Sequence, residues 1–321
     1  MAGVRGVLWT GGGEPTLFEG LVDSCVYSAR LGMDNALYTN GILLGHDRKL
    51  AERLLAPEAG VVFVRISINA LSSKAVRAHW GVEDPNELLV QLRGLEELLR
   101  ARERLAPEFA ARHKEIPSIQ ISTIIDRNNV DDLPAICKTV ADIFRRGRTT
   151  AGPEDVMVVR PLVIHRPDGF SDHDHEPEVI EQILQVCGKN GPGRRALQEA
   201  GIQIFLGFGL DRVEAKAVSS YSELIRNEYE QRDVCWTHGL FLTVGPDASV
   251  YPCMELNCDR RWILGNLNTQ SVEEIYRGDQ HPGFLKMAKH SHWGRKLFHP
   301  HSRTARLDRI AKAIRNGELT V

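Results

Sequence analysis

Apolar and polar positions follow two alternating rhythms along the first two-thirds of the chain. Short runs rich in β-branched and aromatic residues read as strands: Val4 to Trp9, Asn35 to Thr39, Val61 to Ile68, Ser118 to Ile125, Val156 to Leu162 and Gly201 to Leu206. Between them lie stretches with helical spacing: Leu17 to Leu31, about Asp47 to Leu55, Ser72 to Trp80, Asn86 to Leu105, Leu133 to Arg145 and Glu178 to Cys187. In the longest of these, Leu88, Leu89, Leu92, Leu95, Leu98 and Leu99 are expected on one face. Strands separated by helices predict βαβ units and a parallel sheet. The βα rhythm stops after Leu206. A strand from Leu240 to Val244, the turn Gly245-Pro246-Asp247-Ala248 and a strand from Ser249 to Tyr251 then predict a hairpin. Leu264 to Leu267 and a helix at Val272 to Tyr276 follow it. Arg303 to Arg315 has the pattern of a final amphipathic helix carrying Arg and Lys. The expected division is residues 1–206 and 207–321.

The turn after the first strand, Thr10-Gly11-Gly12-Gly13-Glu14-Pro15-Thr16, has the most chemistry per residue. Three glycines leave the backbone bare and open to close approach. Pro15 presets φ for a helix start. A phosphate loop would follow its glycines with Lys or Ser/Thr, whereas this one supplies an acid. Bare carbonyls beside a carboxylate suit a ligand ammonium, which only donates. An ordinary Gly-rich βα turn is the plainer alternative. In a parallel α/β sheet, ligands gather at the carboxyl ends of the strands. Glu14, Thr39, Asn40, Ser67, Asn69, Asn128 and Arg160 all fall there. A cap or turn role is the alternative for each of them.

Composition narrows the setting. With 321 residues the chain holds one large α/β domain and an appendage, or two domains. A net charge of −2 gives no field for nucleic acid. No apolar run approaches the roughly 18 residues a membrane helix needs, and no secretory leader is visible, so a cytoplasmic protein is expected. Six cysteines remain to be placed. Cys25, Cys137 and Cys187 sit within helical stretches and are expected as buried small hydrophobes. Cys235, Cys253 and Cys258 flank the hairpin. Its strands would draw Cys235 and Cys253 together, with Cys258 on the exit loop, as a thiolate site for an iron–sulfur cluster or zinc. His238 and the tail histidines His281, His290, His292, His299 and His301 are the further ligand candidates.

Together these pieces resemble the radical S-adenosylmethionine (AdoMet) enzymes that carry a C-terminal auxiliary-cluster module of the SPASM or twitch type. Thr10 to Thr16 is similar to that family's GGEP motif, which receives the methionyl ammonium. Tyr38-Thr39-Asn40-Gly41, Arg65-Ile66-Ser67-Ile68-Asn69 and the Asn128 region match its next strand-end motifs. Cys235, Gly245-Pro246-Asp247, Val250-Tyr251-Pro252-Cys253 and Leu264-Gly265-Asn266-Leu267 match the auxiliary module. The resemblance implies a partial (β/α)6 TIM-like barrel missing its first strand, plus a small Cys-bearing hairpin and helix module. It implies AdoMet and a [4Fe-4S] cluster as cofactors, and a 5′-deoxyadenosyl radical that abstracts hydrogen from a peptide or protein substrate. It also implies a reductant such as flavodoxin or ferredoxin. Gly12, Gly13, Glu14, Pro15, Asn40, Ser67, Asn128 and Arg160 would bind the cofactor. Cys235, Cys253 and Cys258 would bind metal.

The chain departs from the family at two points. The CxxxCxxC motif that holds the AdoMet-cleaving cluster occurs nowhere in it, and Phe298 to Arg303 has no cysteine. Amino-terminal truncation is the expectation, with Val4 to Trp9 left as an edge strand, and a degenerate member of the family is the other reading. A non-catalytic AdoMet-binding or partner-binding protein with a structural zinc is the alternative.

Overall fold

Six strands form one parallel sheet in strict chain order: β1 (Gly6–Trp9), β2 (Asp34–Thr39), β3 (Val61–Ser67), β4 (Ser118–Ile125), β5 (Asp155–Pro161) and β6 (Ile202–Leu206). The computed structural model describes residues 4–80, 86–147, 155–162, 177–207, 210, 242–252, 257 and 259–278. Cys235, His238, Cys253, Cys258, the tail histidines and the expected helix from Arg303 to Arg315 lie outside the described residues. Those described up to Leu210 form one compact unit, and those from Leu242 onward belong to another.

Because each strand pairs with the next and the order never reverses, every crossover turns the same way and the helices collect on one face. Burial agrees. Leu37, Val64, Ile66, Ile119, Ile121, Met157, Val159, Ile202 and Ile204 point to the covered face and are buried. The alternate positions point the other way, where Leu8 is 38% exposed and Phe205 48% exposed. This is the winding of a (β/α) barrel rather than of a doubly wound sheet. Among the described residues, β1 and β6 are the two edges. The expected partial barrel, with β1 at an edge, is therefore borne out.

The helices are α1 (Leu21–Arg30), α2 (Ile42–His46), α3 (Arg48–Leu55), α4 (Ser73–Trp80), α5 (Asn86–Ala111), α6 (Leu133–Gly147), α7 (Pro177–Cys187) and α8 (Pro192–Glu199). The long α5 packs on α2, α3 and α6, while α8 packs on α6 and α7. Differences from the expected pattern have local causes. The stretch from Leu17 to Leu31 is broken into a 3-10 turn, Pro15–Leu17, and α1, because Phe18 is extended and Gly20 caps α1. A Cβ on Gly20 would lie 2.6 Å from the Phe18 ring. The five-residue α2 and the polar α8 have too few apolar positions to show a period. Leu89 is exposed and lies off the buried face of Leu88, Leu95, Leu98 and Leu99.

Two glycines bring α2 and α5 together. A Cβ on Gly94 would lie 2.1 Å from the Gly41 carbonyl oxygen, and one on Gly45 would lie 2.0 Å from that of Val90. Asn35, fully buried, joins four segments through one side chain. Its Oδ1 accepts from Trp9 Nε1 (2.9 Å) and Ser28 Oγ (2.7 Å), and its Nδ2 donates to the carbonyls of Cys25 and Ala59. Cys25, Cys137 and Cys187 are buried, as expected.

In the second unit, β7 (Thr243–Val244), β8 (Ser249–Tyr251) and β9 (Gly265–Asn266) form an antiparallel sheet. The hairpin turn is set by Asp247, whose two carboxylate oxygens accept from Ser249 N (3.0 Å) and Ser249 Oγ (2.9 Å). A capping box between Ser271 and Glu274 starts α9 (Val272–Arg277). The expected hairpin and helix are both present.

Candidate functional site

The carboxyl edge of the sheet is tied together by two side chains, and it begins with Glu14. β1 ends at Trp9, and Glu14 then caps the 3-10 turn, accepting from Thr16 N (3.0 Å) and Thr16 Oγ1 (2.7 Å). The same Oε1 accepts from Thr39 Oγ1 at 2.6 Å, and Oε2 accepts from Asn40 N at 2.7 Å. The carboxylate is thus a clamp between the β1 turn and the end of β2. Gly12 and Gly13 are treated differently: a Cβ added at either meets nothing within 4 Å. The turn is held rigid from one side and leaves bare backbone on the other, which is a fit for a ligand group that donates hydrogen bonds.

The second tie is Gln91, a fully buried residue of α5. Its Nε2 donates to the carbonyls of Asn40 (2.7 Å) and Ser67 (2.8 Å), so one amide holds the ends of β2 and β3. The Asn40 side chain accepts from Ile42 N (2.9 Å), while Gly41 caps α2 at φ 79°, a backbone region that favours glycine. Ser67 is the last residue of β3, on the face away from the helices. Arg160 is the penultimate residue of β5 on that same face, with Gly207 beside it: a Cβ on Gly207 would lie 2.7 Å from Arg160 Cβ. Asn69 Oδ1 accepts from Ile124 N, and buried Asn129 donates to the carbonyls of Asn69 and Ile124. Asn128 lies on the exposed turn after β4, where its backbone and side-chain nitrogens both donate to Asp126. Glu14, Pro15, Asn40, Ser67, Asn128 and Arg160 therefore all lie at or beyond the carboxyl ends of their strands. Direct contacts tie Glu14 to Asn40, and Gln91 links Asn40 to Ser67.

Sequence reasoning missed two residues here. Gln91 had a signal, a lone amide at helical spacing between Leu88 and Leu95 on an otherwise apolar face. Arg65 lies two residues before Ser67, so it points to the same face, away from the helices. Its Nη1 donates to Tyr38 OH (2.9 Å) and its Nε to Gln120 Oε1 (3.0 Å), and its guanidinium carbon stands 4.7 Å from the Tyr38 ring centroid. Tyr38, Arg65 and Gln120 are register partners across β2, β3 and β4. A fixed, permanently charged fork thus stands in the middle of that face.

Residues 235–294 match the SPASM family, an iron–sulfur cluster-binding domain. The match covers 60 of the 321 residues. It starts at Cys235 and includes Cys253 and Cys258, the three candidate metal ligands. Among solved structures, the chain is similar to SuiB of Streptococcus suis at 14% identity and a TM-score of 0.53, covering 88% of this chain and 57% of SuiB. The chain thus spans little more than half of that protein, and the likeness is one of fold. Native anSMEcpe with bound AdoMet aligns at 15% identity over 96% of this chain and 82% of its own, with a TM-score of 0.44. A domain of the pyruvate-formate lyase-activating enzyme of Bacteroides vulgatus aligns at 19% identity over 63% and 98%, with a TM-score of 0.37. No curated protein matches the chain. The SPASM part of the sequence resemblance is borne out over residues 235–294, and the likeness to SuiB bears out the fold.

Proposed function

We propose that this protein, whose residues 235–294 match the SPASM family, binds AdoMet along the carboxyl edge of its sheet in the manner of the radical AdoMet enzymes that act on a peptide or protein substrate. The observation that supports the reading best is the Glu14 clamp beside the bare backbone of Gly12 and Gly13. Carbonyls of that turn would accept the methionyl ammonium, and Glu14 holds them in place through Thr39 and Asn40. Ser67 and Arg160, on the face away from the helices, would take the carboxylate. Asn40 and Asn128 would border the nucleoside, and Pro15 fixes where the turn enters its 3-10 helix. In an enzyme of that class, AdoMet would supply a carbon radical able to remove a hydrogen atom once a cluster had delivered the electron. The protein's part is orientation. The 321 residues contain no CxxxCxxC. They therefore offer no ligand set of that type for the cleaving cluster. Cys235, Cys253 and Cys258 would hold the auxiliary cluster. A flavodoxin or ferredoxin as reductant and a cytoplasmic location fit this reading. Among the described residues, no helix is long and apolar enough to cross a membrane.

Equilibrium dialysis with radiolabelled AdoMet tests the proposal. One equivalent is expected to bind. Gly13→Val, whose side chain would enter the space beside the turn, should weaken binding at least tenfold without lowering the melting temperature. Full binding by that variant would sink the assignment. Iron and sulfide analysis of anaerobically prepared protein should find both, whereas stoichiometric zinc would favour a structural metal.

A further inference from the structure

Two cysteines outside this site are neighbours. Cys137 on α6 and Cys187, the last residue of α7, have their sulfurs 3.6 Å apart, and both are fully buried. Fifty positions separate them in sequence. Thus only the packing of α6 and α7 brings them together. The third described cysteine, Cys25, lies on α1, in another part of the helical layer. The pair has a lid. Gly193, in the first turn of α8, sits so close that a Cβ there would lie 2.9 Å from Cys137 Sγ and 2.8 Å from Val186 Cγ1. Arg194 donates to the carbonyls of Cys187 and Gly188 and ties that turn to the end of α7.

We infer that Cys137 and Cys187 are a reversible oxidation site, a buried dithiol that closes to a disulfide when a peroxide reaches it. Disulfide sulfurs lie about 2.05 Å apart. Closure therefore needs an approach of roughly 1.5 Å, within reach of rotamer change and a small helix shift. One deprotonated sulfur attacks hydrogen peroxide. The S–O bond forms, the O–O bond breaks and hydroxide leaves, taking up the displaced proton as water. The second sulfur then attacks the sulfenic sulfur. The S–S bond forms, the S–O bond breaks and a second water leaves. Two thiols lose two electrons and two protons, and one peroxide becomes two waters. Burial selects the oxidant. Hydrogen peroxide is about the size of two waters and can enter when the short α8 opens locally, but glutathione disulfide is too bulky. The hydrogen bond between the sulfurs, together with burial, also pushes the Cys187 thiol well up. The site should therefore react slowly at neutral pH and faster as pH rises. The inference is independent of the proposed enzyme activity.

Peptide mapping of the full chain under non-reducing conditions tests it. Intact protein is treated anaerobically with millimolar hydrogen peroxide or with oxidised glutathione, and residual thiols are blocked in denaturant. Peroxide should give a cross-linked peptide pair joining Cys137 to Cys187, with Cys25 still blocked as a thiol. Dithiothreitol should restore both thiols. Oxidised glutathione should leave the pair unchanged. The cross-linked protein should melt several degrees higher, since a loop of this length is lost from the unfolded ensemble. If both cysteines are blocked as thiols after peroxide, carry separate sulfinic acids, carry glutathione, or pair with other cysteines, the inference is wrong. Cys187→Ser should abolish the cross-link and leave Cys137 trappable by dimedone as a sulfenic acid.

Discussion

Arg102 of α5 and Asp155 of β5 meet entirely out of solvent. Arg102 Nη1 donates to both Asp155 oxygens, at 2.7 and 2.9 Å, and the two side chains are 2% and 0% exposed. Asp155 Oδ1 also accepts from Ile119 N at 2.8 Å, so the pair joins a helix to the start of two strands. Among the described residues, buried Arg102 Nη2 has no hydrogen-bond partner. Removing one partner strands the other charge, at a cost of about 3–5 kcal/mol. Arg102→Leu and Asp155→Asn should therefore each lower the urea midpoint strongly. The double variant should recover much of the loss. A double variant no better than the worse single one would show that the two residues are not coupled.

Glu14→Ala removes acceptors for Thr16, Thr39 and Asn40 together. At about 1 kcal/mol per hydrogen bond, more where a charge accepts, the loss should be roughly 3 kcal/mol. Thermal unfolding measures it. Glu14→Gln keeps the shape but places an amide among donors, and should fall between the wild type and Glu14→Ala. If the two variants melt alike, the charge contributes nothing to the clamp.

Gly94→Ala adds a methyl group that would stand 2.1 Å from the Gly41 carbonyl oxygen, a backbone atom of the segment that carries Asn40. The helices must part, which typically costs about 1–3 kcal/mol. Because Gly41 adjoins the proposed ligand edge, AdoMet affinity should fall along with stability. Unchanged affinity in a destabilised variant would separate α2 from the ligand.

Burial pushes the Cys25 thiol up to about 11. The folded chain keeps a proton that the unfolded chain sheds near its ordinary value of about 8.5. Stability from this group is full below that value and is lost as pH rises towards 11. At 1.36 kcal/mol per unit, the loss is about 3 kcal/mol. Urea unfolding under reducing conditions at pH 7 and pH 10 should show about 2 kcal/mol of that drop, since pH 10 lies roughly 1.5 units above the ordinary value, and Cys25→Ala should flatten it. Cys187 adds a contribution of the same sign.

The sheet and most helices were legible because β-branched runs such as Val61 to Ser67 and the leucine face of α5 state their period plainly. α2 and α8 were not, since five residues, or eight with one buried leucine, do not define a period. The strand-end position of Glu14, Asn40, Ser67 and Arg160 followed from the βα alternation alone. The way Glu14 spends its carboxylate on Thr39 and Asn40 did not, because a side chain's partners depend on the register between β1 and β2. Arg65 was passed over for a related reason. In a strand read only for its apolar content, a charge on the face away from the helices looks like a solvated position. The Cys137–Cys187 contact had no local trace, since two helices separated by a whole strand must pack before it exists.

The amide of Gln91 has a further effect. By donating to the carbonyl just past one strand and to the last carbonyl of the next, it works like a dowel driven through two boards, keeping their ends level. A molecule lying across both would meet a single straightedge instead of two independent loops. The flatness of that edge is decided inside a helix that never touches the molecule. Substitutions deep in α5 should thus change how well something fits far above them, and do so through alignment, with every contacting residue still in place.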